Sequence, residues 1–350
     1  MKKKVLAILL AMVMVFSFVG CGNGDGGSAD TDKVYDLSFS LLNGESNFQS
    51  VAWTNWANAV NEASNGRLNI KMYYDSTLID SSAEYQQLLA GVADIVDAHR
   101  YASDGFVISE NWKCITSGIP ADAVVDFSYR LYNEIPAIAD EYKDVKVLAQ
   151  AWNGGTTYQL LTVSKPVHSP ADMKGMTIWC EADWNGFIKA CGATPVNVPF
   201  NEVYSGLSKN MYDGIMIAEE TLQSCSFAEV CKYSNQLNLS YASEPGHLMN
   251  LDSWNALPED LQKIIDDHAS MIEQEQMASF IKTTEDAYKW AKETYGVERV
   301  ELSDEEQAVF LETVRAANLE KAKELDAKGL PGTEIVESLA KWTEEWNSNK

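Results

Sequence analysis

The sequence has only four histidines, at His99, His168, His247 and His268, and no two of its cysteines stand at CxxC spacing. A zinc centre of the usual ligand spacings is therefore excluded. There is no G-x-S-x-G, no HExxH and no phosphate-cradling glycine loop, so serine hydrolase, zinc protease and nucleotide-driven chemistry have no motif to rest on. Basic residues are scarce: 27 lysines and arginines face 51 acids, a formal charge of −24. Such a surface repels nucleic acid and anionic lipid heads. Long apolar runs are missing as well. The longest, Val5 to Phe18, falls short of the roughly 20 residues that span a bilayer. What the chain does have is length and apolar content. Its 350 residues, 46% hydrophobic, can bury a large core and suit two domains better than one.

Lys2, Lys3 and Lys4 ahead of the apolar run form the charged and hydrophobic regions of an export signal. The run ends at Phe18-Val19-Gly20-Cys21, which resembles the lipobox of bacterial lipoproteins, with Cys21 as the lipid-bearing residue after cleavage. The glycine-rich Gly22 to Ser28 that follows is a flexible tether. We expect residues 1–20 to be a signal peptide and 21–33 a linker, and loss of the three lysines takes the formal charge from −24 to about −27. Five further cysteines, Cys114, Cys180, Cys191, Cys225 and Cys231, are an odd number that cannot all pair, and small buried thiols are the simplest expectation. Cys225 and Cys231 form the one near pair.

Leu37, Phe39 and Leu41 alternate with polar residues as on a half-buried strand, and Phe48 to Asn65 carries helical spacing up to Gly66. Strands at Leu68–Tyr74 and Asp94–Val96, around a helix at Glu84–Ala90, continue the alternation expected of a mostly parallel sheet. A second α/β unit has strands at Tyr158–Val163, Met176–Cys180 and Gly214–Ile217, with helices at Phe187–Cys191 and Glu202–Lys209. From Glu259 to Tyr295 no proline or glycine intervenes, which predicts one helix of about 55 Å. Ser303 to Glu306 is a capping box for the next helix, and Thr333 to Trp346 is a final amphipathic one.

The segment Gly192 to Gly214, GATPVNVPFNEVYSGLSKNMYDG, resembles the binding-lobe core of the substrate-binding subunits of TRAP transporters. The same family is met in Ala59–Ile79, in Leu88–Ile95, in Ser164-Lys165-Pro166-Val167 with Pro170 to Gly175, in Phe227–Tyr233 and in Trp254 to Pro258. These blocks keep their order through most of residues 37–290. The resemblance implies a two-lobed α/β receptor of the periplasmic-binding-protein kind, with a long helix spanning both lobes. Its boundaries are then residues 34–155 and 246–257 for lobe one, 156–245 for lobe two and 258–350 for the spanning and C-terminal helices. It further implies no catalysis and no cofactor, an extracytoplasmic location, to which the lipobox-like Cys21 adds a lipid anchor to the cell membrane, and small and large integral-membrane carrier subunits as partners. A small solute is captured by hinged closure of the lobes.

Where that family usually places a carboxylate-gripping arginine, this chain has Trp179, in Gly175-Met176-Thr177-Ile178-Trp179. An indole cannot make the paired hydrogen bonds of a guanidinium. Glu181 and Asp183 follow closely, Trp152 and Tyr158 lie on the preceding crossing, and Glu219 comes after the Asp213-Gly214 turn. Aromatic faces beside carboxylates suit a cation, so the expected solute is a small amine or quaternary ammonium compound, ethanolamine-like in size. The alternatives are a small carboxylate or polyol held by Arg100, which follows a buried strand, and, outside the class, a secreted carbohydrate-active lipoprotein enzyme using two of the many acids.

Overall fold

The computed structural model describes residues 33–80, 83–97, 100–149, 157–243 and 245–349. Cys21 and Trp152 lie outside them. Twelve strands are found among the described residues: β1 (Tyr35–Ser40), β2 (Leu68–Tyr73), β3 (Ile95–Asp97), β4 (Ser117–Ile119), β5 (Val145–Ala149), β6 (Thr157–Thr162), β7 (Thr177–Trp179), β8 (Thr194–Val196), β9 (Gly214–Ala218), β10 (Tyr233–Tyr241), β11 (His247–Asn250) and β12 (Glu298–Val300). They make two sheets, one ordered β2-β1-β3-β11-β5 and one ordered β12-β10-β6-β9-β7-β8, with β4 added to the latter through β10. This is the mixed α/β architecture with two sheets that strand and helix alternation implies.

In the first sheet β1 runs parallel to β2 and β3, and β11 returns antiparallel to β3 with His247 opposite Asp97. Its core is built by period-two burial: Leu37 and Phe39 of β1 and Ile70 of β2 pack on Trp53, Trp56 and Val60 of the helix Phe48–Ala63. That helix is started by the Asn47 side chain, which accepts from the Gln49 N–H.

In the second sheet β7 is parallel to β8 and β9, while β6 is antiparallel to β9 and β10. β8 lies at the edge, the one place where Pro195 removes no ladder bond the sheet needs. β10 was not predicted, because Ser234, Asn235 and Gln236 are all buried and polar and give no apolar alternation. Asn235 is instead satisfied by the Leu160 carbonyl and the Val167 N–H. The strand is bulged towards its end, where Asn238 takes a positive φ. β4, assigned by sequence to the first lobe, also pairs with β10.

The single helix expected from Glu259 to Tyr295 is two helices, Glu259–Asp267 and Ala269–Tyr295. Around His268 the ladder tightens to three-residue bonds, from the His268 N–H to the Ile265 carbonyl and from the Met271 N–H to the His268 carbonyl. The His268 ring also engages the Ile264 carbonyl at 2.7 Å. The longer piece has 27 residues, about 40 Å, and packs on the helix Phe48–Ala63 and β5 beside one sheet and on the helix Thr221–Ser224 beside the other. Gly296 closes it in the left-handed region that glycine favours. The Ser303 and Glu306 capping box opens the helix Asp304–Asp326 as the sequence indicates. All five described cysteines, Cys225 and Cys231 included, carry free thiols, and burial pushes Cys180, Cys191 and Cys231 up to about 12. Among the described residues no helix is long and apolar enough to cross a membrane.

Candidate functional site

In an open α/β sheet ligands bind beyond the carboxyl ends of the strands, where the strand order reverses. In the first sheet that point falls between β1 and β3, and in the second between β7 and β9.

At the first point the carboxyl end of β3 brings Asp97 beside His247, the first residue of β11. His247 has no exposed surface; its Nδ1 is 3.7 Å from the Asp97 carboxylate and its ring centroid 3.5 Å from that of Trp53. Burial first, and the nearby charge of Arg100 second, hold His247 well below its ordinary value, so the ring is neutral. Arg100, three residues past Asp97, is itself buried at 6% exposure. Near the end of this sheet the Arg100 guanidinium, the Asp97 carboxylate and the neutral His247 imidazole are thus buried close together.

The end of the second sheet is built differently. Glu181, just past β7, accepts from the Tyr158 hydroxyl at 3.0 Å and from the Lys113 ammonium at 2.6 Å. Lys113, from the helix Trp112–Thr116, also donates to the Tyr158 hydroxyl at 3.4 Å, and its Nζ lies 5.6 and 5.8 Å from the ring centres of Tyr158 and Tyr241. Trp184 stands 5.3 Å from Tyr158, ring to ring. Burial works against the Lys113 charge, but Tyr158, Tyr241 and Glu181 outweigh it and hold the ammonium well above the usual lysine range. The Tyr158 phenol is pushed well up, chiefly by burial and then by Glu181. Aromatic walls and a carboxylate do come together as the sequence suggests, but around a cation the chain itself supplies. Lys113 was not predicted, although a lone charge inside the apolar Trp112-Lys113-Cys114-Ile115 was a readable signal.

The other candidates are dispersed. Trp179 points to the opposite sheet face from Tyr158: it is 6% exposed, donates its indole N–H to the Val198 carbonyl at 2.9 Å, and packs with Leu161, Val203, Leu207 and Ile215. Phe200, 45% exposed and also unpredicted, covers it at 5.5 Å. Asp183 lines a separate cleft of about 580 Å³ together with Glu110, Asn111, Trp184 and Lys321. Glu219 is 2% exposed and tied by Arg299 through three hydrogen bonds of 2.6 to 3.1 Å, with Ser234 and Gln236 donating to it as well. It lines a 370 Å³ pocket with Gln159, Asn238, Phe280 and Ile281.

Residues 39–324 match the family profile DctP, described as bacterial extracellular solute-binding protein, family 7. The 2,3-diketo-L-gulonate-binding periplasmic protein YiaO of Escherichia coli is 26% identical over 59% of this chain. That stretch is 63% of the relative's own length, and for two further curated relatives the share is 55% and 45%, so the chain spans about half to under two thirds of these proteins. In solved structures the fold is shared with a TRAP periplasmic solute-binding protein from Ochrobactrum anthropi, at a TM-score of 0.75 and 20% identity, over 91% of this chain and 97% of that one. It is shared also with one from Desulfovibrio salexigens with bound orotic acid, at 0.68 and 23%, over 89% and 99%. With the profile covering most of its length and both neighbours carrying the same two-lobed fold, the chain belongs to the bacterial extracellular solute-binding proteins of family 7.

Proposed function

We propose that the protein is the extracytoplasmic receptor of a TRAP-type uptake system, taking one small solute between the carboxyl ends of its two sheets and passing it to integral-membrane carrier subunits. It acts by binding and release, without turnover. Cys21 is its lipid anchor, holding it at the membrane through the glycine-rich linker. The placement of charged groups at the switch points of both sheets carries the reading, since those are the positions from which a closing receptor can grip a solute from two sides.

For the solute, the geometry favours a small organic acid. Arg100 is buried three residues past β3, and a guanidinium can pair with a carboxylate through two parallel hydrogen bonds. The relatives point the same way, one named for a sugar acid and one holding orotic acid. The amine reading retains one favourable observation, Glu181 among the rings of Tyr158, Tyr241 and Trp184. Lys113 already meets that carboxylate, so a free amine has to displace a tethered one. Calorimetry with sugar acids, orotate and C4-dicarboxylates against ethanolamine and choline tests the assignment. Micromolar heat from an acid, lost in Arg100→Gln, is the expected result; heat from amines alone overturns it.

A further inference from the structure

We infer that Lys113 is a built-in occupant of a cation-recognition site, a tethered ammonium that determines which solutes the second lobe refuses. Resting on the reading that solute enters at the strand ends, this names what sets the charge class of the site. The Nζ sits where an ammonium guest would sit: 2.6 Å from the Glu181 carboxylate, 3.4 Å from the Tyr158 hydroxyl, and over the rings of Tyr158 and Tyr241 at 5.6 and 5.8 Å. The Tyr158 hydroxyl points its own hydrogen at the same Glu181 oxygen at 3.0 Å, which fixes the carboxylate in the orientation that receives the ammonium. A carboxylate, two aromatic faces and a phenol oxygen are the parts of an amine receptor.

The arrangement differs from an ordinary surface ion pair in burial. The Lys113 side chain keeps 17% of its exposure and Glu181 keeps 40%, so the cation is enclosed while its partner still opens towards solvent. An external amine therefore finds the best cation position filled at an effective concentration no free ligand matches. Paired with Glu181, Lys113 also cancels that carboxylate, so a guest anion meets no uncompensated negative charge there. One side chain thus sets the sign, and shortening it to alanine removes three methylenes and the ammonium, the volume of n-propylammonium.

The test is chemical rescue. Lys113→Ala is predicted to melt below the wild-type chain and to recover in a saturable way with n-propylammonium, whereas n-propanol and tetramethylammonium leave it unchanged. Calorimetry should find n-propylammonium binding to Lys113→Ala and none to the wild-type chain. Lys113→Ala with Glu181→Gln should bind it roughly two- to five-fold more weakly, the carboxylate being a charged but half-solvated partner. If Lys113→Ala does not fold alone, it is refolded with n-propylammonium present: recovery of folded protein supports the proposal, and failure overturns it. Rescue by propanol, no rescue by any amine, or ethanolamine binding to the wild-type chain also overturns it. Failure of organic acids to bind the wild-type chain would remove the solute assignment above and leave this result standing.

Discussion

Glu181 and Glu219 look alike in the sequence, two acids each following a buried strand of the same sheet, and the structure treats them in opposite ways. Glu219 lies under the helix Ala269–Tyr295, 2% exposed, with its oxygens filled by Arg299, Ser234 and Gln236. Glu181 stands at the open end of the sheet with 40% of its side-chain surface in solvent, and Lys113 and the Tyr158 hydroxyl donate to it. Equal chemistry therefore carries unequal energetics. A buried carboxylate depends on its partner, because removing the partner strands a charge in a low dielectric, whereas a half-exposed one is rehydrated when its partner leaves.

The largest effect should come from Arg299→Met. Burial opposes the Arg299 charge, but its hydrogen bonds to Glu219 and Glu285 raise its pKa above the normal arginine value, and its guanidinium lies 3.9 Å from the centre of the Tyr288 ring. Methionine keeps the stem and deletes the charge, so urea unfolding should register a loss of about 3 to 5 kcal/mol. Adding Glu219→Gln should return part of it. A loss under about 1 kcal/mol would mean that Glu219 is effectively solvated and that the contrast with Glu181 does not exist.

Trp179→Ala comes next. The indole fills an apolar cluster and donates to Val198, so its truncation should cost about 3 to 4 kcal/mol of stability. Circular-dichroism melting together with solute titration separates the possibilities. Weakened binding at unchanged stability would place the ring in the cleft, as the sequence leads one to expect.

A third test moves to the first sheet. His247 is held well below its ordinary value, by burial first and then by Arg100, so the folded state stays neutral while the unfolded chain takes up a proton near pH 6.5. The linked stability is present above that pH and is lost as pH falls below it, by at most about 1.4 kcal/mol per pH unit. Unfolding at pH 7 and pH 5 should therefore show a decline that His247→Gln flattens. An equal decline in both proteins would assign the acid sensitivity to the carboxylates instead.

These expectations also mark what the sequence could and could not say. Strands β1, β2, β3, β6, β7 and β9 were legible because apolar residues alternate or cluster between turn signals. β10 was not, because its buried polar side chains make hydrogen bonds whose partners lie some 70 residues away. The site follows the same rule. That Glu181 is an acid near aromatics could be read locally, but Lys113 is 68 residues upstream and Arg299 is 80 residues beyond Glu219. Residue type is a local property and charge pairing a tertiary one, so acids chosen for an external cation turned out to hold internal ones.

The smallest effect, and the one that most sharpens the contrast, belongs to Glu181→Gln. The amide keeps the shape, and its carbonyl still accepts from the Tyr158 hydroxyl. Lys113 retains that hydroxyl at 3.4 Å and the two ring faces. Only the charge interaction is lost, and with Glu181 40% exposed solvent screens it, so the expected cost is about 1 kcal/mol or less. That cost should shrink further in molar salt, where the screening length falls to roughly 3 Å. Parallel urea titrations of both proteins at low and high salt measure it. A loss above about 3 kcal/mol, insensitive to salt, would show that Glu181 is as desolvated as Glu219, and the open end of the second sheet would then be closed to solute.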